Sequence, residues 1–385
     1  MTAHPFASRR IAAASIVALC AALSVPINRA AAKAPLDLPA EIHKIQKLGV
    51  PGVLAFVRNG DVEKRAASGL ADVETKRRIT GSEVWRIASV TKLVTAIIMQ
   101  MMAMDGVVGL DDPIGKHLPK IVPLAERITV RQLLNHTSGI PDYLAGRRVP
   151  LNVSAKRLAA NLVRHRPRAA LLKDANRQVR AFAPGKQHEY SNTNYLVLEL
   201  LIEKVTGRSY RAIVEDELIA PLGLTQTGFP DASGGMPAPF IKGYVPSDGP
   251  AGPFTNRKRL IDVTAHDYFA GADGGLYSSI SDLARMMEGL RKAELLGVEQ
   301  LKTMISDLKQ DHDGMYRYGL GITALPTKCD TVVYGHEGRD LGIYTALLAT
   351  VDGARQLIVV INSVPDYVPK LDHALAELRD RVFCD

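Results

Sequence analysis

Ser89 and Lys92 are the two side chains in this 385-residue chain whose types and spacing most directly allow chemistry. They lie three residues apart, which places both on one face of a helix, a turn from each other. A serine hydroxyl is a weak nucleophile until a nearby base takes its proton, and a lysine amine can do so. A helix start also favours a developing anion, because its first N–H groups are unpaired and its dipole is positive there. A helix beginning at Ser89 would therefore indicate nucleophilic catalysis.

The same spacing also arises by chance, with the serine as a helix cap and the lysine in solvent. The function of the pair therefore depends on the elements around it. The apolar run from Leu93 to Met104 predicts a helix directly after the pair. A second helix, predicted over residues 193–205, follows Tyr190-Ser191-Asn192 in the same way. Two short polar motifs are thus expected at the starts of helices.

Strand-forming segments lie at the two ends of the chain, and helical segments fill the middle. Residues 53–57 and 62–67 flank Asn59-Gly60, which is a strong signal for a two-residue hairpin turn. Further β-rich runs occupy residues 331–334, 343–350 and 356–361, before a predicted helix over 369–382. In the middle, helices are predicted from Ser154 to Arg166, from Ser209 to Ile219, and from a cap at Ser281 to Leu290.

The simplest assembly of these segments belongs to the α/β (α+β) class. It joins the N-terminal hairpin to the C-terminal strands in one antiparallel sheet flanked by helices, with a mostly helical lobe beside it. Within a folded domain of residues 33–385, the sheet lobe comprises about 40–115 and 291–385, and the helical lobe about 116–290. A small-molecule site is expected between two such lobes.

Residues 1–32 have the pattern of a secretory signal peptide. Arg9-Arg10 forms a basic start, Ile11 to Val25 is apolar, and Ala30-Ala31-Ala32 offers a small-residue cleavage site. The apolar run is shorter than the ~18 residues of a membrane span. An uncleaved anchor or a lipid anchor is the alternative. We predict export, with a periplasmic or extracellular location after cleavage.

Two cysteines, Cys329 and Cys384, remain in the chain after the signal segment. Exported compartments permit disulfides, and an even number of cysteines is compatible with one bridge. A Cys329–Cys384 disulfide would tie the C-terminal tail to the strand region. We state this pairing as a hypothesis.

The formal net charge is +8, and removal of the three arginines before residue 33 leaves +5. This mild charge does not indicate a nucleic-acid-binding protein. A basic cluster lies between Arg147 and Arg180, but aromatic residues are sparse there, and export also argues against nucleic acid. A solvated face is the favoured explanation of the cluster, and attraction of anionic substrates or an anionic envelope surface is the alternative.

Several short motifs occur together in one order along the chain. They are Ser89-Val90-Thr91-Lys92, Asn135-His136-Thr137-Ser138-Gly139, Tyr190-Ser191-Asn192, Gly274-Gly275-Leu276 with Ser281-Asp282-Leu283-Ala284, and Tyr334-Gly335-His336-Glu337-Gly338. Together they resemble the motifs of the serine β-lactamase and penicillin-binding-protein superfamily. The resemblance is strongest to its class C branch, with the related esterases and D-peptidases. It covers roughly residues 40–365 and implies a β-lactamase-like fold.

The resemblance implies a role for each motif residue. Ser89 would form an acyl-enzyme, with Lys92 and Tyr190 as its catalytic partners. A phenol with a pKa near ~10 needs a cation such as Lys92 to act as a base, and which of the two holds the proton stays open. Asn192, His336 and Gly338 are the expected substrate-binding residues. The N–H groups of Ser89 and Arg339 would form the oxyanion hole, each contributing roughly 3 kcal/mol in the transition state.

His336 stands where many β-lactamases have the lysine of Lys-Thr-Gly. A lysine stays charged and attracts a substrate carboxylate, whereas a histidine titrates near pH ~6.5, so its attraction is weaker and pH-dependent. We expect His336 to face Ser89 and to contribute part of the binding of anionic substrates. The substitution argues against an efficient β-lactamase.

Other catalytic patterns are not supported by the sequence. The chain has no G-x-S-x-G elbow, which argues against an α/β-hydrolase. His188-Glu189 lacks the second histidine of a zinc-binding H-E-x-x-H helix, so we expect no metal and no other cofactor. His136 is expected to have a structural role in its turn rather than to act as a base.

The sequence therefore indicates an exported serine hydrolase that cleaves an ester or amide through an acyl intermediate on Ser89. The expected substrate is a small molecule or short peptide, with cell-wall peptide as one candidate. A D-alanyl-D-alanine carboxypeptidase, another penicillin-binding protein or a true β-lactamase is the enzymatic alternative. A binding protein without turnover is less favoured, because the catalytic set of Ser89, Lys92, Tyr190 and Asn192 is retained.

Overall fold

The computed structural model describes residues 35–145, 166–231, 233–246, 260–265, 271–311, 313–363 and 369–385. Its strands are β1 (Gly52–Asn59), β2 (Val62–Asp72), β3 (Arg77–Arg78), β4 (Val84–Arg86), β5 (Tyr244–Pro246), β6 (Leu260–Asp262), β7 (Tyr277–Ser279), β8 (Lys309–Gln310), β9 (Arg317–Tyr318), β10 (Thr323–Pro326), β11 (Val332–Asp340), β12 (Ile343–Ala349) and β13 (Arg355–Ile361). Its α-helices are α1 (Leu38–Lys47), α2 (Thr91–Met104), α3 (Val130–Leu134), α4 (Arg168–Asn176), α5 (Asn192–Thr206), α6 (Tyr210–Val214), α7 (Ala220–Leu222), α8 (Ile280–Arg291), α9 (Val298–Ser306) and α10 (Pro369–Cys384). Shorter helical turns occupy Ala88–Val90, Ile114–Lys116, Ala125–Arg127 and Glu215–Ile219, the last as a π-helix.

Nine strands form one antiparallel sheet in the order β3-β2-β1-β13-β12-β11-β10-β9-β8. The sheet joins the two ends of the chain, because β1 lies between β2 and β13, with Val53 opposite Ile361. The predicted hairpin is present, but Asn59 pairs with Val62, so its two turn residues are Gly60 and Asp61 rather than Asn59 and Gly60. The prediction that N-terminal and C-terminal strands share one antiparallel sheet is therefore confirmed.

Helices cover both faces of this sheet. Along β1, Val53 and Ala55 face a cluster that includes residues of α1 and α10, whereas Leu54 and Phe56 face a larger cluster that includes α2. Alternate side chains of a strand point to opposite faces, so a strand covered on both faces is apolar throughout. This accounts for the unbroken apolar run over residues 53–57.

α2 is buried on nearly all sides within the larger cluster. Every residue from Thr91 to Met102 is buried, as expected for a helix that is apolar around most of its circumference. α5 packs against it and buries Leu196 and Leu201 in the same cluster. This packing fixes the position of the turn that precedes α2.

The helix predicted from Ser281 begins earlier than expected. Ser279 is its N-cap, because the Ser279 Oγ accepts a hydrogen bond from the N–H of Asp282. Ser281 lies inside the first turn, and its Oγ accepts a hydrogen bond from Arg65. The prediction of Ser281 as the cap is therefore wrong by two residues.

The helices predicted over 193–205, 209–219 and 369–382 are present with shifted ends, the second one continuing into a π-helix.

Part of the basic cluster is described, and two of its arginines pair with carboxylates. Arg166 pairs with Asp174 at 2.6 Å, and Arg168 pairs with Glu199 at 2.7 Å. These contacts favour a structural role for the two arginines.

The predicted signal segment 1–32 and nearly all of the helix predicted from Ser154 lie outside the described residues. Within the described ranges, no helix is both long and apolar enough to cross a membrane.

A disulfide joins Cys329 to Cys384 across 55 positions of the chain, which confirms the predicted pairing. Cys329 lies in the turn between β10 and β11, and Cys384 is the last residue of α10. The bond therefore attaches the end of the C-terminal helix to the turn between β10 and β11.

Replacing Cys384 with serine is expected to lower the free energy of unfolding by about 2–4 kcal/mol, because the unfolded chain regains the freedom of a long loop. Urea unfolding of the variant and of the wild type, each with and without reductant, measures the effect. Reductant should destabilise only the wild type. Equal stability of all four samples would contradict a structural disulfide.

Candidate active site

Ser89 lies where the sheet meets α2. It belongs to the 3₁₀ turn Ala88–Val90, and α2 begins at Thr91 rather than at Ser89 as predicted. Ala88 has a φ of +49°, in the left-handed region that residues other than glycine rarely adopt. Such conformations concentrate at functional sites, where the surrounding packing holds them in place. The strained turn presents Ser89 to the space in front of β11.

Lys92 is completely buried, and oxygen atoms surround its amine. Nζ lies 3.1 Å from Ser89 Oγ, 2.7 Å from Asn192 Oδ1 and 2.5 Å from the backbone carbonyl of Asp273. The two carbonyl oxygens can only accept hydrogen bonds, so they engage two N–H groups whether the amine is charged or neutral. In the neutral amine, the lone pair is then directed at Ser89 Oγ. The geometry therefore orients Lys92 as a base toward the serine hydroxyl.

Burial lowers the pKa of the Lys92 amine to about 8, although the carboxylates of Asp273 and Asp142 favour the charged form. Roughly a tenth of such an amine is neutral at pH 7. The titratable groups that face this amine are Asp142, Asp273, Tyr190, Tyr195, His136 and His336. A pKa close to the working pH is what a general base requires.

Tyr190 lies beside Ser89, and the Ser89 hydroxyl lowers the pKa of its phenol, but less than desolvation raises it. Lys92 Nζ is 4.9 Å from the centre of the Tyr190 ring. Desolvation of its hydroxyl raises the pKa of Tyr190 well above 10, which is opposite to the lowering by Lys92 that the sequence led us to expect. The phenol is therefore protonated at neutral pH and suits a proton donor, while Lys92 suits the base.

Asn192, at the start of α5, connects Lys92 to a carboxylate that the sequence analysis missed. Its Oδ1 accepts a hydrogen bond from Lys92, and its Nδ2 donates one to Asp142 Oδ2 at 2.9 Å. The available signal was that Asp142 lies three residues after the H-T-S-G turn, which ends at Gly139. Asp273 was also missed, although it contributes both its backbone carbonyl and the charge of its carboxylate to the surroundings of Lys92.

His336 lies on β11, but it does not carry the charge expected from the sequence. Its side chain is buried, and desolvation lowers the pKa of the imidazole to about 3. Nδ1 donates to the carbonyl of Glu337 at 2.6 Å, and Nε2 accepts from the hydroxyl of Tyr318 at 2.7 Å. The expectation that His336 attracts anionic substrates by titrating near pH 6.5 is therefore wrong, because burial keeps the ring neutral.

Gly338 lies directly against the backbone of the Ser89 turn. A Cβ at this position would lie 2.3 Å from the carbonyl oxygen of Ile87 and 3.1 Å from the amide nitrogen of Ser89. The lack of a side chain is what allows β11 to approach so closely. Arg339 follows on the same strand, and its side chain reaches to Asp372 at 3.1 Å. The predicted oxyanion-hole pair, the backbone amides of Ser89 and Arg339, thus belongs to two segments in direct contact.

His136 is buried in the turn after α3, against the Tyr190 segment. Its Nδ1 accepts hydrogen bonds from the N–H of Ser191 at 3.2 Å and from Asn194 Nδ2 at 3.0 Å. The centre of its ring lies 4.2 Å from that of Tyr190. Desolvation lowers the pKa of His136 well below 6.5, so the ring stays neutral. These contacts support the structural role predicted for this residue.

A serine that faces a buried lysine, at the junction of a large antiparallel sheet and a helical layer, is the arrangement of the β-lactamase-like serine hydrolases, and it defines the class of this protein. The family model described as Beta-lactamase matches residues 39–380. The chain belongs to that family. In the described part of the chain, no group of three His, Cys, Asp or Glu side chains is arranged to hold a metal ion.

Individual proteins agree with this assignment. A D-stereospecific amidohydrolase from Streptomyces sp. has a similar structure, with a TM-score of 0.77 and 29% identity over 90% of this chain and 97% of that one. Penicillin-binding protein 4* of Bacillus subtilis (strain 168) is 25% identical over 319 residues, which cover 82% of this chain and 68% of that protein. Protein flp of Staphylococcus aureus (strain NCTC 8325 / PS 47) is 33% identical over 192 residues. That match covers 49% of this chain and only 36% of the length of protein flp.

Proposed function

We propose that this protein hydrolyses an amide or ester through an acyl-enzyme on Ser89. The observation that carries the proposal is a pair of buried hydrogen bonds made by Lys92 Nζ. One joins it to Ser89 Oγ at 3.1 Å, and the other joins it to Asn192 Oδ1 at 2.7 Å. Burial of an amine is unfavourable unless its hydrogen bonds are satisfied. A protein that only bound its ligand would gain nothing from a buried lysine directed at a serine hydroxyl.

The acylation step follows from the orientation of these groups. Neutral Lys92 takes the proton of Ser89 Oγ as the oxygen attacks the substrate carbonyl carbon. The carbonyl oxygen becomes an oxyanion, which accepts hydrogen bonds from the amides of Ser89 and Arg339. Protonated Tyr190 then donates its proton to the leaving nitrogen or oxygen as the bond to the acyl carbon breaks. The Lys92 ammonium returns a proton to Tyr190.

Deacylation uses the same groups in the opposite direction. Water attacks the acyl carbon, and Lys92, neutral again, accepts its proton through Tyr190. The bond between the acyl carbon and Ser89 Oγ breaks, and Oγ takes the proton back from Lys92. The acid product leaves, and the site returns to its initial protonation state.

For the substrate we propose an amide or ester of a D-amino acid or a short peptide. The 29% identity to a D-stereospecific amidohydrolase over nearly the whole fold supports this class. Neutral His336 supports it as well, because it offers no positive charge to a substrate carboxylate. The similarity to a penicillin-binding protein over 82% of the chain keeps cell-wall D-peptides as the second candidate.

We further propose that the protein is exported. The signal-peptide pattern of residues 1–32 supports this location. The Cys329–Cys384 disulfide supports it independently, because such bonds persist in oxidising compartments.

The test combines turnover with intact-mass measurement on the wild type and on Ser89→Ala. The substrates are the D- and L-isomers of phenylalanine amide, a p-nitrophenyl ester and benzylpenicillin. We expect turnover of the D-amide or the ester, and none of either by Ser89→Ala. Absence of both turnover and adduct with every substrate, in folded wild-type protein, would contradict a serine hydrolase.

The fate of benzylpenicillin separates the candidate substrates. A lasting adduct on Ser89 would indicate that the site recognises a D-Ala-D-Ala mimic and deacylates slowly, as expected for cell-wall peptides. Hydrolysed penicillin would indicate a β-lactamase. Intact penicillin together with turnover of the D-amide would support the amidase assignment.

A further inference from the structure

Asp142 is not part of the recognised motifs, yet its carboxylate ends the polar chain that begins at Ser89. The successive contacts join Ser89 Oγ to Lys92 Nζ, Lys92 Nζ to Asn192 Oδ1, and Asn192 Nδ2 to Asp142 Oδ2, at 3.1, 2.7 and 2.9 Å. We propose that Asp142 is a positioning residue. It determines which end of the Asn192 amide faces Lys92, and it thereby directs the lone pair of Lys92 at Ser89. This role rests on the proposed function, because its purpose is the activation of Ser89.

The argument begins with the donors and acceptors of the Asn192 amide. An amide presents an acceptor oxygen at one end and a donor NH₂ group at the other, and the two ends have nearly the same shape. Both oxygens of Asp142 accept hydrogen bonds, one from the N–H of Leu144 and one from Asn192, so Asp142 selects the NH₂ end of Asn192. The oxygen end is therefore presented to Lys92. With the amide reversed, its NH₂ group would bind the Lys92 lone pair and turn it away from Ser89.

The carboxylate of Asp142 is itself held in place. Its Oδ1 accepts a hydrogen bond from the N–H of Leu144 at 2.9 Å. The Oγ1 of Thr193 donates to the carbonyl of Pro141 at 2.7 Å and accepts from the N–H of Tyr143 at 2.9 Å. These bonds attach the backbone on both sides of Asp142 to the residue that follows Asn192. The distance between the two side chains is thus set by the fold.

The isosteric variant Asp142→Asn should reverse which end of the Asn192 amide faces residue 142. The N–H of Leu144 requires an acceptor, so the oxygen of the new amide faces Leu144 and its NH₂ group faces Asn192. Two NH₂ groups would then oppose each other, and Asn192 relieves the clash by rotating its amide by half a turn. Asp142→Ala differs, because water can fill the space and accept from Asn192 without forcing a rotation.

The two variants therefore have a distinctive order of activity. Against the substrate that wild type turns over, Asp142→Asn is expected to lower kcat about 100-fold and Asp142→Ala about 10-fold, each with KM nearly unchanged. If Asp142 served only in packing, Asp142→Ala would lower kcat more than Asp142→Asn, because alanine removes more of the side chain. Asp111→Asn is the matched control, since Asp111 is an exposed aspartate whose carboxylate pairs with Arg131. Equal losses, or a larger loss for alanine, would overturn the proposal.

A second measurement keeps the test independent of turnover. The titration of Lys92 is followed by the ¹³Cε shift in lysine-labelled protein, with Lys92→Met to assign the signal. We expect the pKa of Lys92 in Asp142→Asn to lie below that in Asp142→Ala, because both lose the carboxylate but only the first brings an NH₂ group to the amine. Identical values would overturn the role of Asp142 even if the protein hydrolyses no substrate. If the pKa of Lys92 is lower in Asp142→Asn than in Asp142→Ala but the wild type turns over no substrate, the proposed function fails. Asp142 then still sets the orientation of Asn192 toward Lys92.

Discussion

Replacement of Lys92 by methionine is expected to lower kcat/KM by roughly 10³- to 10⁴-fold, which is the upper range for loss of a general base. Methionine has nearly the length of lysine and no charge, so it fits the buried space beside Tyr190 and Tyr195. The variant loses the only amine within 3.1 Å of Ser89 Oγ among the described residues. Acylation should slow much more than substrate binding weakens, because Lys92 acts on the proton that moves during attack.

The pH profile gives a second, independent readout of the same residue. With a pKa of about 8, Lys92 becomes neutral as the pH rises through that value. Wild-type kcat/KM should therefore increase about tenfold per pH unit below pH 8 and level off above it. Lys92→Met should lose this dependence. Lys116→Met, at an exposed lysine, serves as the control. A flat wild-type profile between pH 6 and 9 would contradict Lys92 as the base.

Replacement of Gly338 by alanine is the second change with a large expected effect. The added Cβ would lie 2.3 Å from Ile87 O, 3.1 Å from Ser89 N and 3.2 Å from Ala88 Cβ, so β11 and the Ser89 turn must separate. We expect kcat/KM to fall about 10²- to 10³-fold, as for loss of one oxyanion-hole donor. The free energy of unfolding should fall by about 1–3 kcal/mol, as for overpacking of a core.

Gly109→Ala is the matched control for this substitution. The three atoms nearest to a Cβ at Gly109 all belong to the side chain of Asp112, at 3.2 to 3.4 Å, and this side chain can move. Activity and urea unfolding are measured on both variants. Turnover by Gly338→Ala at the wild-type rate would show that the contact between β11 and the Ser89 turn does not set the oxyanion geometry.

Much of the fold was predictable because its signals are local or periodic. The hairpin after β1, the apolar helix after Lys92 and the C-terminal β-rich runs each follow from short-range patterns. The sharing of one sheet by N-terminal and C-terminal strands follows from their places at the two ends of the chain. The cap at Ser279 was missed because several serines surround the start of α8, and the choice among them depends on the pairing of β7 with β4.

The site was predictable as far as its motifs extend. Ser89, Lys92 and Asn192 meet as expected, but the protonation of Tyr190 and His336 differs from the expectation, because burial is a property of the folded molecule. Desolvation raises the pKa of the tyrosine and lowers that of the histidine, and neither shift can be read from neighbours in sequence. Asp142 escaped notice for a related reason, since its partner Asn192 is 50 residues away.

The interior position of β1, between β2 and β13, has a consequence for how the molecule folds. Val53 pairs with Ile361, so about 300 residues of chain are made between one strand of this pair and the other. Until the last strands arrive, the apolar β1 has an open edge on which other chains can pair. Non-local pairing of this kind also slows folding. A chain cut short before β13 should therefore aggregate rather than fold as a smaller unit.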